Sequence, residues 1–119
     1  MKRIVVACAV LAFALIASLR PVHADMKDIL ARGVIRIGTQ LDAPPFGFID
    51  AAGAPTGMDI DLGKMIAKAL GVKYQLVQDT GANRIPYLLT GKVDILISAI
   101  GVTPQRATQI MFTDAYADA

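Results

Sequence analysis

One arginine close to the C-terminal end combines with its neighbours into a group that could bind an anion. The apolar run DILISAI is followed by Gly101, and a Thr-Pro pair then precedes Arg106. A guanidinium group presents a planar fork of donors that matches a carboxylate bidentately. Thr103 can cap a turn with Pro104 at its first helical position, where free backbone N–H groups favour negative charge. Gly101 lets a ligand approach the backbone, so these residues could hold a small carboxylate.

The same residues have a simpler interpretation. Thr103 and Pro104 can mark nothing more than the start of a helix, and Arg106 can be a solvated surface residue. The pattern Thr-Pro-x-Arg is too short to be specific, so on these residues alone we favour the simpler interpretation. The elements that surround Arg106 must decide between the two.

The first 24 residues have the composition of a secretory signal peptide. Lys2 and Arg3 precede an almost wholly apolar run at residues 4–19, and small residues at Val22 and Ala24 suit a signal peptidase. A membrane anchor is the alternative, but the run is shorter than the roughly 20 residues that cross a bilayer. We therefore expect cleavage after Ala24, export to the periplasm and a functional part at residues 25–119.

Charge and cysteine content exclude several classes of protein. The leader carries three of the 12 basic residues, so the exported part has nine basic against ten acidic residues. With no basic surplus, nucleic-acid binding is not expected. The single cysteine, Cys8, lies in the leader, and residues 25–119 contain neither His nor Glu. We therefore expect no disulfide, no metal site, no catalytic residue and no cofactor.

Strands and helices are predicted to alternate through the exported part. Hydrophobic periodicity, glycines and prolines divide it into short elements. The predicted helices cover residues 27–32, 59–70, 84–90 and 104–108; strands are expected at 34–39, 46–49, 73–77, 94–97 and 109–112, with a loop at 42–45 and a turn at 50–55. For the longest helix we expect Asp59 as the cap and one apolar face made of Leu62, Met65, Ile66, Ala69 and Leu70.

This order predicts an α/β fold with a mainly parallel sheet flanked by helices. Ligands of such sheets collect at the carboxyl ends of the strands. The loops at residues 40–45 and 98–103 should therefore share one edge, which is a physical reason to place a binding site there. Asn83 and Arg84 open a helix near this edge; they could contact a ligand or only cap and solvate the helix. Asp59 and Asp61 lie two apart on a helix and do not face each other, so we do not expect a catalytic pair.

Five motifs in order and in register add a family resemblance. GVIRIGT, PPFGFID, GMDIDL, NRIPYLLTGKVDILISAIGVTPQRA and FTDAYA resemble the periplasmic amino-acid binding proteins of ABC importers, solute-binding protein family 3, over residues 29–117. The resemblance implies a two-lobed, type II-like protein that closes on an amino acid and delivers it to a membrane permease. It also implies that Arg106 holds the ligand's α-carboxylate with help from Ser98, Ala99 and Gly101.

The chain departs from this family at three positions. Many relatives carry Ser or Thr where Gly101 stands, so here only the main chain can contribute. Many carry an acid in place of Gln40 and an aromatic near Ala43. A neutral Gln40 argues mildly against a cationic ligand side chain, and the identity of the amino acid or related carboxylate stays open.

Length is the last departure, because the family's two-lobed proteins are about twice this size. We therefore expect residues 25–119 to be the N-terminal part of the first lobe, incomplete and ending near the interlobe hinge, with weak or no ligand affinity by itself. The same fold also serves periplasmic dehydratases that act on prephenate-like acids, and sensing domains of sensor kinases and cell-wall lyases. A catalytic acid or a fused domain elsewhere would separate these alternatives from a transport protein.

Overall fold

A three-stranded parallel sheet organises the computed structural model, which describes residues 25–117. The predicted signal peptide lies outside these residues. The helices are α1 (Met26–Arg32), α2 (Met58–Leu70), α3 (Arg84–Leu89) and α4 (Pro104–Ala107). The strands are β1 (Val34–Gln40), β2 (Asp42–Ala43), β3 (Gly47–Ile49), β4 (Pro55–Thr56), β5 (Lys73–Asp79) and β6 (Ile95–Leu96).

The parallel sheet has the order β5–β1–β6, with β1 in the centre. Helix α2 lies in the connection from β1 to β5 and α3 in the connection from β5 to β6, so the predicted α/β class is confirmed. In the part of the chain that connects β1 to α2, strands β2, β3 and β4 form a separate antiparallel sheet. The prediction of a plain loop at residues 42–45 was wrong for Asp42 and Ala43, because both pair with β3 before the prolines begin.

The core lies where β1 meets the helices. Buried apolar side chains from β1, α1, α2 and the segment after β6 form one cluster: Ile29, Ile35, Ile37, Ala67 and Ile97. Full burial of a side chain the size of isoleucine contributes roughly 1.5–3 kcal/mol. The two isoleucines of β1 are at most 2% exposed, so the central strand carries a large share of this stabilisation.

The buried face of α2 is turned relative to the predicted face. Leu62, Ile66 and Leu70 pack against the core as expected, but Met65 is 66% exposed and Ala69 is also exposed. The helix instead buries Ile60, Gly63 and Ala67, and it approaches the sheet closely at Gly63, where an added Cβ would lie 2.7 Å from the Tyr74 ring. A side chain cannot fit at position 63, and the periodicity of the large apolar residues therefore pointed to the flank of the buried face.

The N-cap of helix α2 lies two residues before the predicted cap. Gly57 is the N-cap, with φ of 120°, and an added Cβ would collide with the Phe46 carbonyl. The expectation that Asp59 caps the helix was wrong: Asp59 lies in the first turn, and its side chain is fully buried. Glycine at position 57 is required both by its backbone angle and by the close approach of the neighbouring chain.

Two further predictions concern the C-terminal part. The expected fourth extended segment at residues 109–112 is not a strand, since its backbone pairs with no strand among residues 25–117, and Met111 is 97% exposed. The predicted C-terminal end of α1 and the start of α4 are confirmed, whereas α1 begins one residue earlier than predicted. Asp25 caps α1, which ends at a left-handed Gly33, and Thr103 caps α4. Within the same described residues, no helix is both long and apolar enough to cross a bilayer.

Candidate functional site

The carboxyl ends of the parallel strands bring the two predicted loops together. Gln40 ends β1 directly opposite Asp79, which ends β5. Ser98 follows β6 two residues after its end, and its hydroxyl oxygen accepts a hydrogen bond from the Gln40 backbone N–H at 3.1 Å. The prediction that these loops share one edge of the sheet is therefore confirmed. We call this region the carboxyl edge; it contains Gln40, Asp79, Arg84 and residues 98–106.

The carboxylate of Asp79 is the buried part of the carboxyl edge. The Ser98 hydroxyl donates to Asp79 Oδ1 at 3.3 Å, and both residues are buried. Asp79 Oδ2 has no hydrogen-bond partner among residues 25–117. Burial raises the pKa of the Asp79 carboxyl above its ordinary 3.8, against the opposing effects of Arg84 and Ser98. The Ser98 side chain is thus directed into the protein, and it supports the edge from below.

Arg84 connects the two loops of the carboxyl edge. Its side chain is only 6% exposed and lies 3.4 Å from Asp79 Oδ1, measured from Nε. The guanidinium donates to the Ala99 carbonyl oxygen at 2.9 Å, to the side-chain oxygen of Gln40, and to the Thr80 carbonyl oxygen at 3.2 Å. The alternative that Arg84 is a solvated residue was wrong, because its side chain is buried and three of its nitrogens donate to protein oxygens.

Arg106 lies at the outer end of the same edge. Its Nη1 donates to the Gly101 carbonyl oxygen at 2.8 Å, and its backbone N–H donates to the Thr103 hydroxyl at 3.2 Å. The cap from Thr103 starts α4 and the Gly101 carbonyl fixes the guanidinium, so the arginine is held by both neighbours that the sequence singled out. The remaining guanidinium N–H groups have no partner among the described residues. They can donate to a carboxylate.

Ala99 and Gly101 line the outer surface of the edge. Both are exposed, and a Cβ added at Gly101 would meet no atom within 4 Å. Ser98, Ala99 and Gly101 also border a cleft of about 980 Å³ between β6 and the segment at residues 107–117. Gln40, Thr103 and Arg106 do not border it. The cleft is lined mainly by apolar side chains, so we distinguish it from the polar carboxyl edge beside it.

Sequence reasoning missed two polar contacts. The role of Arg84 was hidden because a buried arginine in a polar network cannot be told from a surface arginine without its partners. The second contact joins two motifs: the Tyr116 hydroxyl donates to Asp59 Oδ1 at 2.9 Å and links FTDAYA to GMDIDL. Burial raises the pKa of both groups, with the hydrogen bond adding to the rise for Tyr116 and opposing it for Asp59. In the sequence, the signal for the contact between Tyr116 and Asp59 was the presence of both motifs in register.

The chemistry of the carboxyl edge is that of hydrogen-bond donors. Arginine N–H groups, the carboxamide of Gln40 and exposed backbone N–H groups such as that of Gly101 all suit an anionic or carbonyl-bearing ligand. Within residues 25–117, no cluster of three or more His, Cys, Asp or Glu side chains is arranged to hold a metal ion. The arrangement can therefore bind and orient a small carboxylate, with Arg106 as its strongest donor.

Comparison with known families decides the broader class. The model of the bacterial extracellular solute-binding proteins, family 3, matches residues 35–119. The chain belongs to this family. The match includes the whole carboxyl edge and both motifs joined by the contact between Tyr116 and Asp59. The family resemblance drawn from the five motifs is thus confirmed.

Individual relatives include both binding proteins and an enzyme. The chain is 39% identical to the lysine/arginine/ornithine-binding periplasmic protein of Escherichia coli over 80 residues, covering 67% of this chain and 31% of that protein. It is 30% identical to a cyclohexadienyl dehydratase of Pseudomonas aeruginosa over 115 residues, covering 97% of this chain and 43% of that enzyme. The chain therefore spans less than half the length of these relatives.

Two solved structures with the same fold are those of amino-acid binding proteins. The arginine-bound form of domain 1 from TmArgBP superposes with a TM-score of 0.72 at 42% identity, covering 75% of this chain and 71% of that one. An ancestral cationic amino acid solute-binding protein, AncCDT-1, gives a TM-score of 0.74 at 46% identity, covering 77% of this chain and 40% of that one. These similarities confirm the fold as that of a family 3 domain, present here in part.

Proposed function

We propose that residues 25–119 form the N-terminal part of the first lobe of an extracytoplasmic substrate-binding component of an amino-acid ABC importer. The leader at residues 1–24 would direct the chain to the periplasm, and residues 25–119 would end near the interlobe hinge. A membrane permease would receive the ligand. The observation that carries the proposal is the Arg106 guanidinium, held on the Gly101 carbonyl at the carboxyl edge of a family 3 fold.

The ligand would bind through its α-carboxylate. Arg106 would supply a charge-assisted, bidentate pair, and the backbone around Ala99 and Gly101 would add neutral donors. Ser98 and Thr103 would act by holding the loop, because their hydroxyls already bond to Asp79 and to the Arg106 backbone. Gln40 would face the more distant part of the ligand. In a complete two-lobed protein, capture would follow from closure of the second lobe over this edge.

Titration calorimetry of the full chain against a panel of L-amino acids tests this proposal. The domain 1 structure of TmArgBP is described as arginine-bound, which supports measuring a single lobe even though we expect weak affinity here. For the best ligand, Arg106→Ala should weaken binding roughly ten- to a hundred-fold, the range for a hydrogen bond between charged groups. The decarboxylated amine of that ligand should bind no better to the wild type than the amino acid binds to Arg106→Ala. The exposed Lys64→Ala is the matched control and should bind normally.

A dehydratase is the second candidate function, favoured by the match with the cyclohexadienyl dehydratase over nearly the whole chain. Residues 25–119 contain no His, Cys or Glu, so a catalytic acid would have to be an aspartic acid, a tyrosine or a lysine among them, or come from outside them. Incubation of the full chain with prephenate, followed by absorbance, separates the candidates. Turnover would favour the enzyme, whereas amino-acid binding without turnover favours transport. Ligand-sensing domains of kinases or lyases remain alternatives that a fused neighbour would reveal.

A further inference from the structure

We propose that Arg84 is a positioning residue that fixes the orientation of the Gln40 carboxamide and thereby makes the carboxyl edge select ligand side chains that accept hydrogen bonds. This inference deepens the proposed function and rests on it for the identity of the site. It concerns a residue that contacts no ligand itself.

The orientation of Gln40 follows from the chemistry of its partner. A guanidinium group has only donors, so the group that faces it must be an acceptor. Arg84 Nη2 therefore bonds to the oxygen of the Gln40 carboxamide and not to its nitrogen. The nitrogen has no hydrogen-bond partner among residues 25–117 and is not one of the unpartnered buried atoms. Gln40 thus presents an N–H donor to solvent at the carboxyl edge.

Arg84 itself has little freedom to release this oxygen. Three of its nitrogens donate to three separate acceptors, and its side chain is 6% exposed. The nearby Asp79 carboxylate lies 3.4 Å from its Nε. A carboxamide held in this way cannot rotate to offer its oxygen outward without leaving a buried cation short of an acceptor. Such a loss costs more than an ordinary hydrogen bond contributes.

The position of Gln40 relative to Arg106 sets what it can contact. Arg84 bridges Gln40 to Ala99, and Ala99 lies two residues before Gly101, whose carbonyl holds Arg106. A ligand whose carboxylate binds Arg106 would therefore extend along the edge toward the Gln40 nitrogen. A carbonyl or carboxylate in its side chain could accept from this nitrogen, whereas an ammonium or guanidinium group would face a donor. Several relatives are named for cationic ligands, so this inference predicts a difference from them.

L-citrulline and L-arginine are matched probes, because they share a shape and differ in that only the citrulline side chain carries a carbonyl acceptor. Calorimetry of the full chain should give about a ten-fold preference for L-citrulline, the ratio for one hydrogen bond of about 1.4 kcal/mol. Gln40→Glu should reverse the preference, since its second oxygen would face outward. Arg84→Met should bring the ratio close to one. A wild type that binds L-arginine as well as L-citrulline overturns the selectivity.

A ligand-free measurement decides the positioning separately from the proposed function. The ¹⁵N heteronuclear NOE of the Gln40 side-chain amide should match that of the rigid backbone in the wild type. In Arg84→Met it should fall to the value of Gln105, which is exposed on α4. Arg36→Met is the control, because it removes an arginine from the amino end of the same sheet. It should leave the NOE of the Gln40 side-chain amide unchanged.

Arg84→Lys provides a second variant if Arg84→Met does not fold, because lysine keeps the charge but cannot hold three separate acceptors in a fork. A Gln40 amide that stays rigid in whichever variant folds overturns the positioning role. If the amide loosens as expected but neither probe binds and no amino acid of the panel does, the proposed function has failed together with the selectivity, while the positioning role stands.

Discussion

The two ends of the parallel sheet each carry a buried aspartate with arginine partners, but they differ in how completely the charges are paired. At the amino end, Asp94 accepts four hydrogen bonds, from the Arg36 backbone, the Arg36 guanidinium and Arg32, at 2.6–3.3 Å. At the carboxyl end, Asp79 Oδ1 has the Ser98 hydroxyl at 3.3 Å and Arg84 at 3.4 Å, and Oδ2 has no partner among the described residues.

The pKa values express the same difference. Burial alone would raise the pKa of Asp94, but the hydrogen bonds from Arg36 and Arg32 outweigh it and the pKa falls below 3.8. At Asp79, burial is the stronger effect and the pKa rises. The amino end thus uses its charges to hold α1, β1 and the start of β6 together. At the carboxyl end, Arg84 instead bonds to the two loops, at Gln40 and Ala99. The outer N–H donors of this end therefore stay available to a ligand.

Removal of the Asp94 carboxylate should have the largest effect. Asp94→Ala leaves two arginines without their shared acceptor, and breaking a buried pair costs about 3–5 kcal/mol. Because Arg32 and Arg36 are partly exposed and can rehydrate, we expect a loss of about 2–4 kcal/mol in urea unfolding. The control is Asp61→Ala, an exposed position on α2, with a change of about 0.5 kcal/mol or less. Equal effects of the two substitutions would contradict the comparison.

Asp79→Asn should be milder. The amide retains an oxygen that can accept from Ser98 and Arg84, and the ionised form of Asp79 is already disfavoured by burial. We expect a loss of about 1 kcal/mol or less, again from urea unfolding, and a smaller loss than for Asp94→Asn. A loss at Asp79 that exceeds the loss at Asp94 would mean that the carboxyl end is the tighter ion pair.

The pH dependence of stability should have opposite signs at the two ends. The lowered pKa of Asp94 means that its contribution is present above pH 3.8 and is lost as the pH falls through its folded value. The raised pKa of Asp79 means that folding takes up a proton there, so stability increases as the pH falls through its folded value toward 3.8. Unfolding curves of Asp94→Asn and Asp79→Asn against the wild type, between pH 6 and pH 3, measure both slopes. Slopes of the same sign would refute this assignment.

Gly101→Ser should have the smallest effect on stability, because the glycine has open space where a Cβ would lie and its φ is not in the left-handed region. We expect a change of about 0.5 kcal/mol or less. The added hydroxyl should strengthen amino-acid binding by roughly two- to ten-fold, the range for one hydrogen bond. For stability, Gly38→Ala is the contrasting variant, because an added Cβ there would lie 2.6 Å from the Leu96 side chain. Weaker binding by Gly101→Ser would show that the ligand needs the bare backbone.

The sequence predicted those parts of the fold that depend on local signals. Glycine and proline positions marked the element ends, and continuous apolar runs marked the parallel strands, so the order of elements and the shared edge followed from them. The buried face of α2, which carries Ile60, Gly63 and Ala67, could not be predicted in this way, because close packing requires a glycine at position 63 and hydrophobic periodicity does not register a glycine. The prediction of a strand at residues 109–112 was wrong, because strand propensity alone does not supply a neighbouring strand to pair with.

The candidate site shows the same division. Arg106, Thr103 and Gly101 are neighbours in the sequence, so their contact was predictable from spacing. Arg84 acts on Gln40 and Ala99 across 44 and 15 residues of chain, and no local pattern reports such contacts. Asp59 resembled a cap because of its place in the sequence, whereas its true partner, Tyr116, lies 57 residues away.

Chemical-shift mapping by ¹⁵N NMR tests the central claim most directly, because it detects weak binding and locates it. Titration of the full chain with the L-amino acid panel should shift the backbone amides of Ala99, Gly101 and Arg106 and the side-chain amide of Gln40. Arg36 and Asp94, at the amino end, should not shift, and Arg106→Ala should abolish the response. Shifts that persist in Arg106→Ala, or that appear at the amino end and not at the carboxyl edge, would contradict the account.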